Sequence, residues 1–444
     1  MNTSKGTISK GVDPVLIWLY VLLVAIGLTA IFAVTYREGD AIFQTFLGFK
    51  TDYSKQFYFL VLSVVLGIFI LLTDSKFFPA TANIWYVAGI VLLLLVFPFH
   101  SAVKGTESII RVGGFQFQPA EFCKISVCLA LAKYISLPDM NFSKQRSQLI
   151  AAAIALLPAI ITIMQKETGL ALVYFSFFLV MYREGLPPTV LIIAFSIIIL
   201  VIASIVMEPN TLAILITIIA ALAIVLNRRQ IKKRKNVLVS IVFLWAICVG
   251  IQRFAVPFVF QNVLQKHQSE RIFSLFGKDD PYRRGPVVED NTLAKKEGIN
   301  DYNVRQSKIA IGSGGVYGKG LLSGTQTRYE FVPEQRTDFI FCTIGEGFGF
   351  IGTTVLLIIY MFLLFRIIFI AERQRSVFSR CYAYGVASVF FFHIAINIAM
   401  TIGLAPVIGI PLPFISYGGT SLLTFTVLLF ILIRLDADRQ MILR

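Results

Sequence analysis

A glutamate and a lysine that could serve in ion binding or acid–base chemistry stand at the edge of an apolar run. They are Glu121 and Lys124, three residues apart in "FQPAEFCKISVCLALAKY" (117–134). A helix start explains them locally, because Pro119 suits the first helical position, a carboxylate complements the positive helix end, and Lys124 can pair with it. A functional site is the alternative, since ionisable groups at membrane depth are costly and usually line a cavity.

A second group of charges lies in "LFGKDDPYRRG" (275–285), where Asp279 and Asp280 stand among three basic residues. A solvated, charged loop is the simpler interpretation. The alternative is a carboxylate base beside cations able to hold a diphosphate. The local pattern leaves both open.

Two glycine-rich stretches invite different interpretations. "GSGGVYGKG" (312–320) lacks the spacing of a Walker loop, because Ser313 replaces the first glycine and Gly320 the hydroxyl residue. A turn whose amides approach an anionic headgroup remains an alternative. "NIAMTIGLAPVIGIPLPFISYGGTS" (397–421) breaks an apolar region with prolines and glycines. Because irregular backbone at membrane depth must be buried in protein or line a cavity, this stretch predicts a re-entrant, cavity-lining element.

The elements that must position these residues are membrane helices. Of the 444 residues, 57% are hydrophobic and 15% are charged, and the mean hydropathy is +0.77. A soluble domain is about one quarter charged, so the composition predicts an all-α polytopic membrane protein. Runs of roughly 17–25 apolar residues can cross a bilayer. The twelve candidate runs are 14–36, 55–73, 79–98, 119–137, 147–165, 168–183, 188–207, 210–227, 237–258, 338–370, 378–403 and 417–434.

The cysteines, the histidines and the N-terminus argue against several other features. The five cysteines fall in apolar segments without CxxC spacing, so they are predicted to be buried and reduced. His100, His267 and His393 are scattered along the chain, which gives no support for a zinc site. The polar start is followed by a run long enough to span, so no cleavable signal peptide is predicted.

The basic residues predict how the chain crosses the membrane. The net charge is +15, and six basic residues crowd the loop "NRRQIKKRKN" (227–236), which is typical of cytoplasmic loops and argues against nucleic-acid binding. With the N-terminus inside, twelve crossings place this loop, 142–147, 372–376 and the C-terminus in the cytoplasm. The long loop 259–337 then lies outside and is predicted to be the functional face, because long ordered loops usually carry function.

Taken together, "QPAEFCK", "RTDFIF…GEGFGFIG" (336–352) and "PLPFISYGGTS" (411–421) resemble motifs of the SEDS family (shape, elongation, division and sporulation proteins). The motifs occur in family order across nearly the whole chain and are more similar to the RodA-like elongation branch than to the FtsW-like division branch. The resemblance implies a GT-C-like helical fold. It also implies a peptidoglycan glycosyltransferase that polymerises lipid II outside the bacterial cytoplasmic membrane. The implied partners are a class B penicillin-binding protein and other proteins of the elongation complex.

The resemblance also implies roles for individual residues. Asp280, followed by Pro281, matches the family's essential loop aspartate, with Asp279 as the alternative. The positions implied to bind substrate or line the cavity are Glu121, Lys124, Arg271, Gln306, Ser307, Lys308, Asp338, Ser416 and Tyr417. No resident cofactor is implied, and a divalent cation (Mg2+ or Mn2+) is left open.

Four departures from the family pattern stand out. The family's "RW" reads Ser108–Ile109, and its "QPDLGTA" reads "QKETGLA" with Glu167 in place of aspartate. An insert, 282–301, follows the catalytic aspartate. Three spans between 188 and 258 stand where the family has one, so 188–236 is predicted to be an extra helix pair with its basic loop, within a single membrane domain spanning 1–444.

Two other functions are compatible with a cavity that holds charges and broken helices. A lipid II transporter needs alternating access, and no internal repeat is evident in the sequence. A non-catalytic scaffold for the crosslinking partner would not need the carboxylates Asp280 and Glu121. An enzyme explains a long, charged outer loop better than either.

Overall fold

The computed structural model describes residues 11–37, 46, 48–49, 51–99, 101–103, 106–112, 115–264, 269, 272–273, 278, 281 and 299–439. Arg271, Asp279 and Asp280 lie outside the described residues, as do residues 282–298 of the insert. The chemical roles predicted for these residues therefore stay predictions.

Helices dominate the described chain. In chain order they are α1 (Pro14–Thr35), α2 (Asp52–Leu72), α3 (Phe77–Phe99), α4 (Pro119–Ile135), α5 (Gln145–Met164), α6 (Thr168–Tyr174), α7 (Phe177–Arg183), α8 (Pro188–Val206), α9 (Pro209–Leu226), α10 (Arg228–Lys233), α11 (Asn236–Asn262), α12 (Ile299–Ser313), α13 (Thr325–Arg328), α14 (Ile340–Glu372), α15 (Val377–Thr401) and α16 (Gly419–Ala437). Ten of the described helices are long and apolar enough to cross a membrane, which confirms an all-α, multi-pass membrane protein. The other two predicted spans form shorter helices, since α4 has 17 residues and 168–183 is divided into α6 and α7.

A small antiparallel sheet joins α3 to α4 and was not predicted. Its strands are β1 (Ser101–Val103), β2 (Thr106–Val112) and β3 (Phe115–Phe117), in that spatial order. The sequence carries a hairpin signal here, because glycines separate short runs of β-branched and aromatic residues. The sheet leads directly into α4 and so fixes where that helix begins.

Backbone contacts divide the chain into two compact units. The larger unit comprises 1–187 and 303–444, and its centre is formed by α15 and α16, of whose spans 67% and 83% are buried. The smaller unit, 188–302, contains α8, α9 and α11, and each of these spans is only 6% buried. Its apolar side chains therefore face outwards, as expected of helices surrounded by lipid.

Arginines and aspartates tie together three helix ends in the larger unit. Asp13 caps α1 by accepting from Val15 N at 3.1 Å, and its Oδ2 accepts from Arg366 Nη2 of α14 at 2.6 Å. Arg373 bridges Asp13 to Asp436 of α16. Burial favours the neutral form of Asp13, but its bonds to Arg366 and to backbone outweigh this effect, so the pKa of Asp13 lies below its ordinary value.

Candidate functional site

The first turn of α4 holds the predicted ion pair. The helix begins at Pro119, and Lys124 Nζ lies 2.7 Å from Glu121 Oε2. The two side chains are 0% and 1% exposed, respectively. The predicted helix start and its pairing are therefore both present, and the pair is fully enclosed by protein.

His393 of α15 is a third member of this buried group. Its Nε2 lies 2.8 Å from Lys124 Nζ, and its Nδ1 lies 3.0 Å from Pro411 O. A carbonyl oxygen can only accept, so Nδ1 carries the proton and Nε2 accepts from the ammonium. The ring of Phe425 covers the ammonium at 5.2 Å. Glu121 Oε1, by contrast, has no hydrogen-bond partner among the described residues.

The predicted re-entrant element is an irregular segment (402–418) between α15 and α16. Its three residues with positive φ are Gly403, Gly409 and Phe414. Buried side chains satisfy its carbonyls: Asn397 Nδ2 donates to Ile410 O at 2.6 Å, and Tyr360 Oη donates to Pro413 O at 2.6 Å. The second half of the segment, from Ile410 to Ser416, is thus largely buried in protein, which is one of the two conditions under which irregular backbone is tolerated at membrane depth.

The predicted site residues Asp338, Ser416 and Tyr417 are neighbours. Ser416 Oγ donates to Thr337 O at 2.5 Å, and Tyr417 N donates to Arg336 O at 2.9 Å. Asp338, half-buried, follows directly in the chain. The entry to α14 therefore runs alongside the end of the irregular segment.

A charged cluster borders these residues. Arg336 Nη1 lies 2.5 Å from Asp52 Oδ2, and the Tyr417 hydroxyl also bonds to Asp52. Burial and the neighbouring carboxylate raise the pKa of Tyr417 to about 12. Tyr417 is therefore a neutral phenol at physiological pH and can donate a hydrogen bond.

Gln306, Ser307 and Lys308 lie on α12, which contacts the end of α15. Ser307 is buried, and its Oγ donates to Thr401 O at 2.9 Å. Gln306 is half-buried and Lys308 is exposed. A Cβ on Gly403 would come within 2.5 Å of Lys308 Nζ, so a glycine there leaves room for the lysine. These residues meet the irregular segment at its beginning.

The sequence analysis did not predict the structural role of Glu346. This carboxylate of α14 is completely buried and accepts hydrogen bonds from the turn that follows α12. Its donors at 2.8–2.9 Å are Lys319 Nζ, Gln326 N, Thr327 N and Thr327 Oγ1. Glu346 therefore anchors the end of the long loop to a membrane helix.

The glycine-rich stretch 312–320 packs backbone to backbone on the same part of α14. Lys319 N donates to Glu346 O at 3.0 Å, and Gly320 N donates to Gly347 O at 2.9 Å. A Cβ on Gly314 would lie 2.0 Å from a carbonyl oxygen of α14. These glycines permit close helix contact, and the amides of Lys319 and Gly320 are not free to bind a headgroup.

Two of the departures from the family pattern contact each other. Ser108 Oγ of β2 donates to Glu167 Oε2 at 2.8 Å, and both residues are buried. Two residues further on, a Cβ on Gly169 would lie 2.4 Å from Ile408 O. The start of α6 therefore packs closely on the irregular segment. Glu167, which precedes this helix, is 59 residues from its serine partner in the sequence.

A metal cluster is absent from the described residues, and one polar cavity lies away from this group. Within the described ranges, no three His, Cys, Asp or Glu side chains could hold a metal ion together. A polar cavity of about 670 Å³ is lined by 138–144, Glu184 and Gly185. It lies beyond the C-terminal end of α4, whereas Glu121 is in the first turn of that helix.

Comparisons with known proteins agree with this architecture. The sequence matches the cell cycle protein family of FtsW, RodA and SpoVE over residues 14–212 and 185–441. It is 28% identical to the peptidoglycan glycosyltransferase MrdB of Escherichia coli K12, over 85% of each chain. It is 28% identical to the peptidoglycan glycosyltransferase RodA of Treponema pallidum, over 96% of this chain and 97% of that protein.

Solved structures show the same fold. A chain from a study of how a peptidoglycan synthase complex coordinates polymerization and crosslinking superposes with a TM-score of 0.65 at 22% identity, covering 97% of this chain and 98% of that one. The rod shape determining protein RodA of Thermus thermophilus gives a TM-score of 0.59 at 21% identity with the same coverage. At these identities the structures establish the fold alone. With a family match that extends from α1 to the end of α16, the chain belongs to the FtsW/RodA/SpoVE family, as the sequence motifs indicated.

Proposed function

We propose that this protein is a peptidoglycan glycosyltransferase that polymerises lipid II at the outer face of the bacterial cytoplasmic membrane during cell elongation. The main support is the match, over 85–96% of the chain, to relatives named as peptidoglycan glycosyltransferases. The site geometry is compatible with this function, because the charged group on α4 and the motif residues of α12 and α14 all adjoin the irregular segment.

In the proposed reaction, Asp280 removes the proton from the 4-hydroxyl of the acceptor N-acetylglucosamine. The oxygen attacks the anomeric carbon of the donor N-acetylmuramic acid with inversion, and the bond to undecaprenyl diphosphate breaks. Negative charge develops on the leaving diphosphate, so nearby cations lower the barrier. Arg271 and Lys124 are proposed for this role, with Glu121 as the partner that orients Lys124.

The burial of Lys124 adds a requirement to this mechanism. Its ammonium is enclosed by Glu121, His393 and Phe425. Direct contact with a diphosphate therefore requires the packing around the first turn of α4 to open, whereas a long-range electrostatic effect does not. The described residues form no metal site, and no step is assigned to a metal ion.

Gln306, Ser307, Lys308, Asp338, Ser416 and Tyr417 are proposed to bind substrate or to shape the cavity. The protein is proposed to act with a class B penicillin-binding protein, consistent with the likeness to a chain from a complex that couples polymerization to crosslinking. Both termini are proposed to be cytoplasmic. The loop 259–337 is then extracytoplasmic and carries the base.

The decisive experiment is polymerisation of purified lipid II by the purified protein. Asp280→Ala is expected to abolish glycan strands on gels, and Asp279→Ala is the matched control that separates the two adjacent carboxylates. An Asp280→Ala protein that polymerises at the wild-type rate would disprove the assignment of the base. Translocation of lipid II across vesicles without polymerisation would favour the transporter.

A second test concerns sidedness. A cysteine placed in the loop 259–337 is expected to react with a membrane-impermeant thiol reagent in intact spheroplasts. A cysteine placed in 227–236 is expected to react only after permeabilisation. The opposite pattern would exclude polymerisation at the outer face.

A further inference from the structure

The short helix α10 has a strongly basic face. At about 100° per residue, Arg228, Arg229, Lys232 and Lys233 fall within an arc of about 140°. All four side chains are exposed, and Ile231, on the other side of the helix, is half-buried. Arg234 and Lys235 extend the exposed charge to the start of α11. The helix and the residues that follow it therefore present a basic patch, formed by these six residues, between the apolar helices α9 and α11.

The basic patch has few acidic residues near it in the stretch 188–264. Between residues 188 and 264 the acidic residue is Glu208, at the N-terminal end of α9. The 18 residues of α9 separate Glu208 from α10 by roughly 27 Å, well beyond the screening length of about 8 Å at physiological salt. None of the six basic side chains pairs with another described residue. Their charge is therefore available to a partner.

The helices on either side of α10 determine which partner is adjacent. α9 and α11 leave most of their apolar side chains exposed, including Leu226 at 73% next to α10 and Phe243 at 66%. Side chains of this kind are stable against lipid tails. Since both helices end at α10, its basic patch lies where the tails give way to headgroups.

We propose that the basic patch on α10 is a binding surface for anionic phospholipid headgroups. Clustered Lys and Arg beside a membrane helix attract anionic lipid, with roughly a fivefold gain in affinity per charge near the surface. Charge complementarity and the continuity with α9 and α11 favour a lipid over an acidic protein, because the exposed apolar side chains of these two helices are suited to contact with lipid tails. The proposal uses none of the proposed catalytic residues and does not depend on the proposed reaction.

The test uses the full-length protein in phosphatidylcholine nanodiscs that contain a minor share of photoactivatable phosphatidylglycerol. Adducts mapped by mass spectrometry are expected at α10 and at the start of α11. The triple variant R228Q/R229Q/K232Q is expected to lower this labelling at least about tenfold. The matched control K144Q/R146Q/R375Q removes three exposed basic residues from two other loops and is expected to keep the labelling.

Two further measurements distinguish a surface that binds by charge alone from a site that requires arginine. The charge-conserving variant R228K/R229K is expected to label like the wild type, because a headgroup surface needs charge and not the planar fork of arginine. Labelling is also expected to fall as salt rises. If the triple variant fails to fold, single R228Q, R229Q and K232Q variants should each lower labelling about two- to fivefold.

Three results would overturn the proposal. They are equal loss of labelling in both triple variants, no preference of the wild type for phosphatidylglycerol over a matched phosphatidylcholine probe, and loss of labelling in R228K/R229K. Loss of labelling in R228K/R229K would indicate a site for a protein carboxylate, which arginine binds in a bidentate manner. Lipid II polymerisation in neutral detergent is expected to be unchanged in every variant, so failure here is distinguishable from failure of the proposed function.

Discussion

Replacing Glu346 with alanine is expected to lower the melting temperature of the protein by about 3–5 °C. The carboxylate is fully buried and accepts from Lys319 Nζ at 2.8 Å and from the backbone amides of Gln326 and Thr327 at 2.9 and 2.8 Å. Alanine leaves the two amides without an acceptor and leaves Lys319 with hydroxyl oxygens alone. Breaking a buried ion pair costs about 3–5 kcal/mol. An unfolding entropy of about 2.1 cal/mol/K per residue over 444 residues gives about 1 °C per kcal/mol, and hence the stated range.

The assay is thermal unfolding in detergent, followed by intrinsic tryptophan fluorescence. Glu372→Ala is the matched control on the same helix, because its pair with Arg183 is about half exposed and surface pairs contribute roughly 1 kcal/mol or less. The melting temperature of Glu346→Gln should be almost as low as that of Glu346→Ala. The glutamine NH2 group must face either Lys319 Nζ or Thr327 N, and since both of these are donors, no hydrogen bond can form there. A Glu346→Ala protein that melts within about 2 °C of wild type would refute the assignment of Glu346 as an anchor. A Glu346→Gln protein as stable as wild type would refute the requirement for a carboxylate.

Three other variants test the packing around the site and the helix ends. His393→Phe removes the acceptor of Lys124 and should lower kcat/KM for lipid II polymerisation by about 5- to 150-fold. His393→Gln keeps an acceptor and should retain most of the wild-type kcat/KM. Equal losses in the two variants would contradict the hydrogen-bond argument. Asp13→Asn should destabilise the protein at neutral pH. Because folding lowers the pKa of Asp13, the carboxylate contributes its full stability above the ordinary pKa of aspartate and loses it as the pH falls. The melting temperatures of wild type and variant should therefore converge below about pH 4, and a constant difference would exclude ionisation as the cause. Gly314→Ala should reduce the yield of folded protein, since the new Cβ would lie 2.0 Å from a carbonyl oxygen. Gly312→Ala should leave the yield unchanged, because a Cβ there has nothing within 4 Å. Indistinguishable yields would show that the contact between Gly314 and α14 is not tight.

Features that depend on neighbouring residues were predictable from the sequence. The start of α4 is an example, because proline at the first helical position and a first-turn carboxylate act locally. The positions of the spans were also predictable, since they follow from the length of apolar runs. The short α4 and the break between α6 and α7 were not, because burial against other helices permits segments that lipid alone would not.

Contacts between distant residues could not be predicted. His393 lies 269 residues from Lys124, and nothing in the local sequence distinguishes it from an ordinary core histidine. Glu346 lies within the family motif at 336–352, but its partners lie across a turn whose conformation depends on glycine packing. The roles of Asp280 and Arg271 rest on the family resemblance alone, and they remain predictions.

The bond between Ser108 and Glu167 has a consequence for how the family diversifies. Where the motifs place arginine and aspartate, this chain has a short hydroxyl side chain and a longer carboxylate, so one side chain shortens as the other lengthens. The two positions should therefore covary among relatives. A chimera that exchanges only the strand or only the turn would bring together two short or two long side chains in a buried space, whereas the paired exchange S108R/E167D should preserve the fit.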